Sequence, residues 1–205
     1  MSPLQTLLEQ PSLHDVCGTA AKRARLKDTL TPTPTTKVVD GDMKLSEGQD
    51  LLMEEGRVHV KGHLLMEEQS RLLVAGDLVV DGNIVHEGYD YALLFVGGAL
   101  AANNLLFHGE VVSLGGIAVK DVAWTYYNDY STYADLLTAR VVVADDRSEA
   151  VDVVRAETPP IGNSRDISAA LGQVLHPQAW DAYTEGSYAG LARLLRQGKA
   201  LLREG

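Results

Sequence analysis

The sequence predicts a mainly β fold, a parallel β-solenoid of about five or six coils with helical N- and C-terminal flanks, and three observations carry that expectation. A short glycine-led phrase recurs as Gly41-Asp42-Met43, Gly62-His63-Leu64, Gly76-Asp77-Leu78, Gly98-Ala99-Leu100 and Gly116-Ile117-Ala118, with Ala134-Asp135-Leu136 as a degenerate copy. The intervals are 21, 14, 22, 18 and 18 residues, close to the length of one solenoid coil. Apolar residues alternate before four anchors, as Val58-x-Val60, Leu72-x-Val74, Leu94-x-Val96 and Val112-x-Leu114. Period two over so short a run means a strand with one buried face. Helical periodicity is absent from about residue 57 to 143 and present on both sides of that stretch. An antiparallel sandwich is the competing architecture, and the nearly even anchor spacing favours the solenoid.

Residues 1–37 read as a helical leader and linker. Leu4, Leu7 and Leu8, then Val16, Ala20, Ala24 and Leu26, sit at helical spacing interrupted at Pro11, and Thr31-Pro32-Thr33-Pro34-Thr35-Thr36 is extended because each proline fixes φ and biases its predecessor away from helix. The cluster from Lys22 to Lys27 reads as a solvated helix face. Residues 38–148 form the solenoid. A glycine between two short strands suits a tight corner, where a side chain would obstruct the neighbouring coil. Residues 149–205 return to helix: Asp166-Ile167-Ser168-Ala169-Ala170-Leu171 starts one stopped before Pro177. Tyr188, Leu191, Leu194 and Leu195 then give an amphipathic stripe between Gly186 and Gly198, with Arg193 and Arg196 opposite. Helices on both sides of the repeat predict covered ends, hence a monomer or homodimer, with end-to-end self-association as the alternative.

Charge narrows the partners. Lys plus Arg number 18 against 28 Asp plus Glu, a formal charge of −10. The leader carries Lys22, Arg23, Arg25, Lys27 and Lys37 against Glu9, Asp15 and Asp28, so the acidity belongs to the body. That balance disfavours nucleic acid and anionic membranes and favours a basic protein partner. One cysteine, Cys17, makes neither an internal disulfide nor a thiolate metal site, and the first residues lack a secretory pattern, so a cytoplasmic location is expected.

Four segments resemble bacterial β-solenoid proteins of the polymer-forming, bactofilin-like type, some of them associated with toxin–immunity loci. They are Val74-Ala75-Gly76-Asp77-Leu78-Val79-Val80-Asp81-Gly82, Tyr126-Tyr127-Asn128, Ala134-Asp135-Leu136 followed by Asp145-Asp146, and Leu194-Leu195-Arg196-Gln197-Gly198-Lys199-Ala200-Leu201-Leu202-Arg203. The resemblance spans roughly residues 70 to 204. It implies a right-handed parallel β-helix without a catalytic role and transfers no active site. Helical flanks depart from the bare, proline-bounded solenoid of bactofilins and point to a discrete particle.

A search for catalytic chemistry returns little, and no enzyme and no cofactor are expected. Gly97-Gly98 and Gly115-Gly116 lack the lysine and following helix of a phosphate loop, and Ser113-Leu114-Gly115-Gly116 lacks the flanking glycine of a nucleophile elbow. His86 and His108 each lie ten residues after a glycine anchor, which would stack them on successive coils near Glu87 and Glu110 as weak candidate metal ligands. A polar outer ladder is the plainer reading of that column. Trp124, Tyr126, Tyr127, Tyr130 and Tyr133 place five of twelve aromatics within ten residues, with Asp129 among them. Adjacent residues on extended chain face opposite ways, so part of this cluster is expected at the surface as a docking site, completed by Asp145 and Asp146. Packing at a solenoid edge or beneath a helix is the alternative role of these aromatics, and a turn cap that of the aspartates. The sequence therefore predicts a non-catalytic acidic solenoid that binds a protein and neutralises a cognate basic toxin in the manner of an immunity protein. A self-associating, polymer-forming scaffold is the other reading.

Overall fold

A computed structural model describes residues 2–86, 88, 90–126, 130–144, 148–162 and 167–203. Its β strands wind into a parallel solenoid of about six turns, each laying a short strand on each of three faces. Face one holds β1 (Thr33–Val39), β4 (Glu55–Val60), β7 (Asp77–Val80), β10 (Leu100–Ala102) and β13 (Ile117–Val119). Face two holds β2 (Met43–Leu45), β5 (Leu64–Met66), β8 (Asn83–His86), β11 (Asn104–His108), β14 (Val122–Tyr126), β16 (Val141–Ala144) and β18 (Ile161–Gly162). Face three holds β3 (Asp50–Met53), β6 (Arg71–Val74), β9 (Leu93–Val96) and β12 (Glu110–Ser113). The longer β15 (Ser131–Ala139) and β17 (Ser148–Ala156) cross from face three to face one: Ala134 pairs with Ser113 of β12, whereas Leu137 pairs with Ile117 of β13.

The core follows from the pleat. Val58 stacks on Leu78, Leu78 on Leu100, Leu100 on Ile117 and Ile117 on Leu137, a column of inward side chains that no turn could bury without its neighbours. The strands begin at Thr33 and end at Gly162, so the solenoid extends beyond residues 38–148 at both ends. The Thr/Pro segment read as a linker is largely β1, an edge strand where proline is tolerated because no ladder partner needs its missing N–H.

The glycine anchors belong to two different corners. Gly41, Gly62 and Gly82 stack where face one turns into face two, with Gly62 N–H donating to Gly41 and Gly82 N–H to Gly62. Gly76, Gly98 and Gly115 stack where face three turns into face one, linked in the same way. The short interval from Gly62 to Gly76 is therefore two thirds of a coil, and Ala134 lies inside a strand.

The helices cover sides of the solenoid, not its ends, which corrects the expectation of capped ends. An N-terminal arm of α1 (Pro3–Leu8), α2 (His14–Cys17) and α3 (Ala20–Thr29) lies on the outside of face three, where Leu4, Leu7, Leu13 and Cys17 meet Leu73, Leu93, Phe95, Val112 and Tyr133. Both carboxylate oxygens of the buried Glu110 accept from Leu13 N–H, at 3.0 and 3.3 Å, and pin the arm. Arg23, expected on a solvated face, is 1% exposed; it donates to Asp135 and Asp152 at 2.8 Å each and to the Cys17 carbonyl at 3.0 Å. Burial pushes the Cys17 thiol up to about 12, which keeps it protonated and unreactive. On the outside of face two lie α4 (Ile167–Val174) and α5 (Pro177–Arg196), where Leu171, Tyr188, Leu191 and Leu195 pack on Val85, Leu106, Trp124 and Val143. Face one has no such cover, and its strands alternate accordingly: in β7, Leu78 and Val80 are buried while Asp77 and Val79 are half-exposed. At the ends, among the described residues, β1 pairs with β4 alone and β17 with β15 alone. No described helix is long and apolar enough to cross a membrane.

Candidate functional site

The aromatic cluster is divided by a corner of the solenoid. Trp124 points out of face two and is 3% exposed, covered by α5, with its ring centroid 6.0 Å from Tyr183 and 6.1 Å from Tyr188. Tyr133 points out of face three and is 2% exposed beneath the arm, its hydroxyl hydrogen-bonded at 3.0 Å to His14 Nδ1. Both therefore serve packing and offer no docking surface. Tyr130 is half-buried at the corner between them, its ring 5.0 Å from that of Tyr91. Tyr126 ends β14, where its backbone pairs with His108. Tyr127, Asp129, Asp145 and Asp146 lie outside the described residues, in the connections from β14 to β15 and from β16 to β17.

The histidine column is corrected by one residue. The corner before β11 is a single residue, Asn103, where the equivalent corner before β8 is Asp81-Gly82. Asn83 pairs with Asn104 and Val85 with Leu106, which puts His86 level with Phe107, its ring centroid 5.1 Å away. The two imidazoles then point to opposite sides of the sheet. His86 enters the core, fully buried, and neither ring nitrogen has a hydrogen-bond partner. His108 faces α5, stacked on Tyr188 with centroids 3.4 Å apart, and its Nδ1 is 3.0 Å from the Gly88 carbonyl oxygen. Burial, above all, pulls both rings down to about 4, so they are neutral at physiological pH. Neutral rings could ligate metal, but a pair on opposite faces cannot share one ion. Among the described residues no three His, Cys, Asp or Glu side chains converge on a metal-sized site.

What the fold does assemble is one chemically distinct corner. Every turn passes from face two to face three through residues 46–49, 67–70, 87–92, 109, 127–130 and 145–147 in succession. Among their described residues those connections contain Glu47, Glu67, Glu68 and Asp90, with Tyr91 and Tyr130, and no Lys or Arg. The other corners differ. The turn from face three to face one is small and glycine-rich, and the turn from face one to face two pairs its own charges, as Lys61 with Asp40 at 2.8 Å and Arg140 with Asp121 and Glu157 at 3.3 Å. The acidic corner is also the seam between the two helical layers, reached from solvent without moving either.

Of the described residues of this corner, sequence reading named Tyr130. It did not name Glu47, Glu67, Glu68, Asp90 and Tyr91, which are distant in sequence from it and share the corner only through coil stacking. Counting charge per corner, once the coil length is known, is the signal that finds them. No family model matches this chain, and none of the curated proteins or solved structures compared with it gives a significant match, so the functional reading rests on its own residues.

Proposed function

We propose that this chain is a non-catalytic protein-binding solenoid whose acidic, tyrosine-bearing corner docks a basic protein, with toxin neutralisation of the immunity type as the role the sequence resemblance implies. The carrying observation is the gathering of Glu47, Glu67, Glu68 and Asp90 with Tyr91 and Tyr130 along one corner, with no Lys or Arg among the described residues of its connections. Like charges so aligned raise the potential over a narrow strip and speed encounter with a cation, while tyrosines supply area that can be buried at low entropic cost. Binding should be measured against the basic products of neighbouring genes. The combined Glu67→Gln, Glu68→Gln and Asp90→Asn variant is expected to weaken the cognate complex about tenfold, chiefly through association rate, and Tyr127→Ala with Tyr130→Ala to speed dissociation. Equal affinity in both variants, or no basic partner at all, would refute the reading.

A second reading, an end-to-end self-associating scaffold, is favoured by a separate observation. The strands that close the two ends each expose a large apolar side chain, Val38 of β1 at 44% and Val153 of β17 at 45%. Both strands offer an unpaired edge, the arrangement that a head-to-tail contact propagates into a filament. Pro34 and Lys37 on β1, with Asp152 and Arg155 on β17, work against it as edge-blocking residues. Light scattering over about a hundredfold concentration range separates the readings, because a mass-action polymer grows with concentration. A constant molar mass is expected for the docking protein; a climbing mass that Val38→Lys abolishes would establish the scaffold.

A further inference from the structure

The acidic corner contains a cleft of about 560 Å³ lined by Gly48, Gln69, Arg71, Asp90, Tyr91 and Tyr130. We propose that this cleft receives an arginine side chain of the basic partner against the contacting Tyr91 and Tyr130 rings, with Asp90 as its counter-ion; the inference rests on the docking reading above and gives it an anchor point.

The walls are preformed. Tyr91 and Tyr130 stand at 5.0 Å with their planes tilted by 45°, presenting ring surface toward a volume that suits one or two side chains. The Tyr91 hydroxyl donates to Glu110 at 3.4 Å, and the Tyr91 carbonyl accepts from Gln69 N–H at 2.6 Å, so ring and backbone are both held. Gln69 adopts φ +58 at this point, an uncommon conformation for a residue with a side chain, which shapes the floor of the cleft.

The cation already in the cleft does not oppose a second one. Arg71 is clasped by both carboxylate oxygens of Asp50 at 2.6 Å and donates to the Leu8 carbonyl at 2.8 Å, so its charge is compensated within the fold and its position fixed. Asp90 at the lip is exposed. A planar guanidinium matches this geometry, since it stacks on an aromatic face and hydrogen-bonds a carboxylate in its own plane, whereas the surrounding carboxylates repel an anion.

A hexaarginine peptide is the probe, with affinity followed by fluorescence anisotropy from about 50 to about 300 mM salt, where screening removes most surface attraction. Wild-type protein is expected to retain binding at high salt. Tyr130→Ala should lose about tenfold there, Tyr130→Phe should keep most of it, and hexalysine should bind more weakly than hexaarginine. Asp90→Asn, at an exposed position, should cost about threefold. Unchanged affinity in Tyr130→Ala and Asp90→Asn, together with loss in Glu67→Gln/Glu68→Gln, would overturn the cleft and leave the acidic corner standing. Absence of any peptide binding by the wild-type protein would overturn both.

Discussion

Gly76→Ala is expected to cost about 3 kcal/mol of stability, the upper part of the range for forcing atoms into a packed interior. The reason is backbone approach and not backbone conformation. A Cβ on Gly76 would overlap the carbonyl group and Cα of Gly56 in the turn below, and no flexible side chain is there to move aside. Nor can the corner itself retreat, because the Gly76 carbonyl accepts from Gly98 N–H at 2.8 Å in the turn above and the Val74 carbonyl accepts from Gly97 N–H at 2.8 Å. Shifting one turn shifts the stack. Gly41→Ala is the control: Gly41 has φ +81 with nothing near its missing Cβ, so the substitution meets only the left-handed penalty, about 1 kcal/mol. Urea denaturation of the two variants separates the contributions. Equal losses would show that the glycines at the two corners serve the same purpose and that stacking distance does not limit this fold.

The inward pattern of the solenoid was legible and its decoration was not. Leu72-x-Val74 and Leu94-x-Val96 point into the core, as their alternation requires. The residues between them are apolar too: Leu73 and Phe95 are fully buried on the opposite side of the sheet, under the arm. An uninterrupted run such as Leu93-Leu94-Phe95-Val96 signals a strand covered on both faces, whereas on face one Arg57-Val58-His59-Val60 and Asp77-Leu78-Val79-Val80 keep the alternation of buried and more exposed positions. Placement of the flanking helices along two sides was thus encoded in which strands fail to alternate. Register was harder. Corners differ in length by single residues, so counting from a glycine carries His108 one step too far and inverts the face it occupies. Arg23 could not have been told from Lys22 or Arg25 by spacing, because the carboxylates that bury it, Asp135 and Asp152, are brought together from two later turns.

Acidification is expected to unfold this protein in a window set by His86 and His108. Both rings titrate at about 4 in the folded chain and at the ordinary histidine value of 6.5 when released. Between those limits the unfolded chain holds more protons than the folded one, so stability falls as pH falls from about 6.5 to about 4 and loses nothing further from these groups below that. A depression of that size is worth about 3 kcal/mol per ring, so the two together rival the whole stability of an ordinary domain. Glu110 acts in the opposite sense, since burial raises its carboxyl and protonation relieves it, but its hydrogen bonds from Leu13, Tyr91 and Ser12 hold that rise back. At His86 the backbone of His108 and the charges of Glu68 and Asp90 favour the protonated ring, but burial against Phe107 and the core outweighs them. Protonation there puts a cation inside the solenoid; at His108 it puts one under the Tyr188 ring, whose stacking offsets part of the cost, and loosens α5 first. His86→Phe extends the Phe107 ladder without a titrating group. Its urea midpoint should match or exceed that of the wild-type protein at pH 7.5 and vary markedly less toward pH 4.5, with His86→Phe/His108→Phe flatter still. A double variant whose midpoint fell as steeply as the wild type would place the acid sensitivity in the surface carboxylates and not in the buried rings.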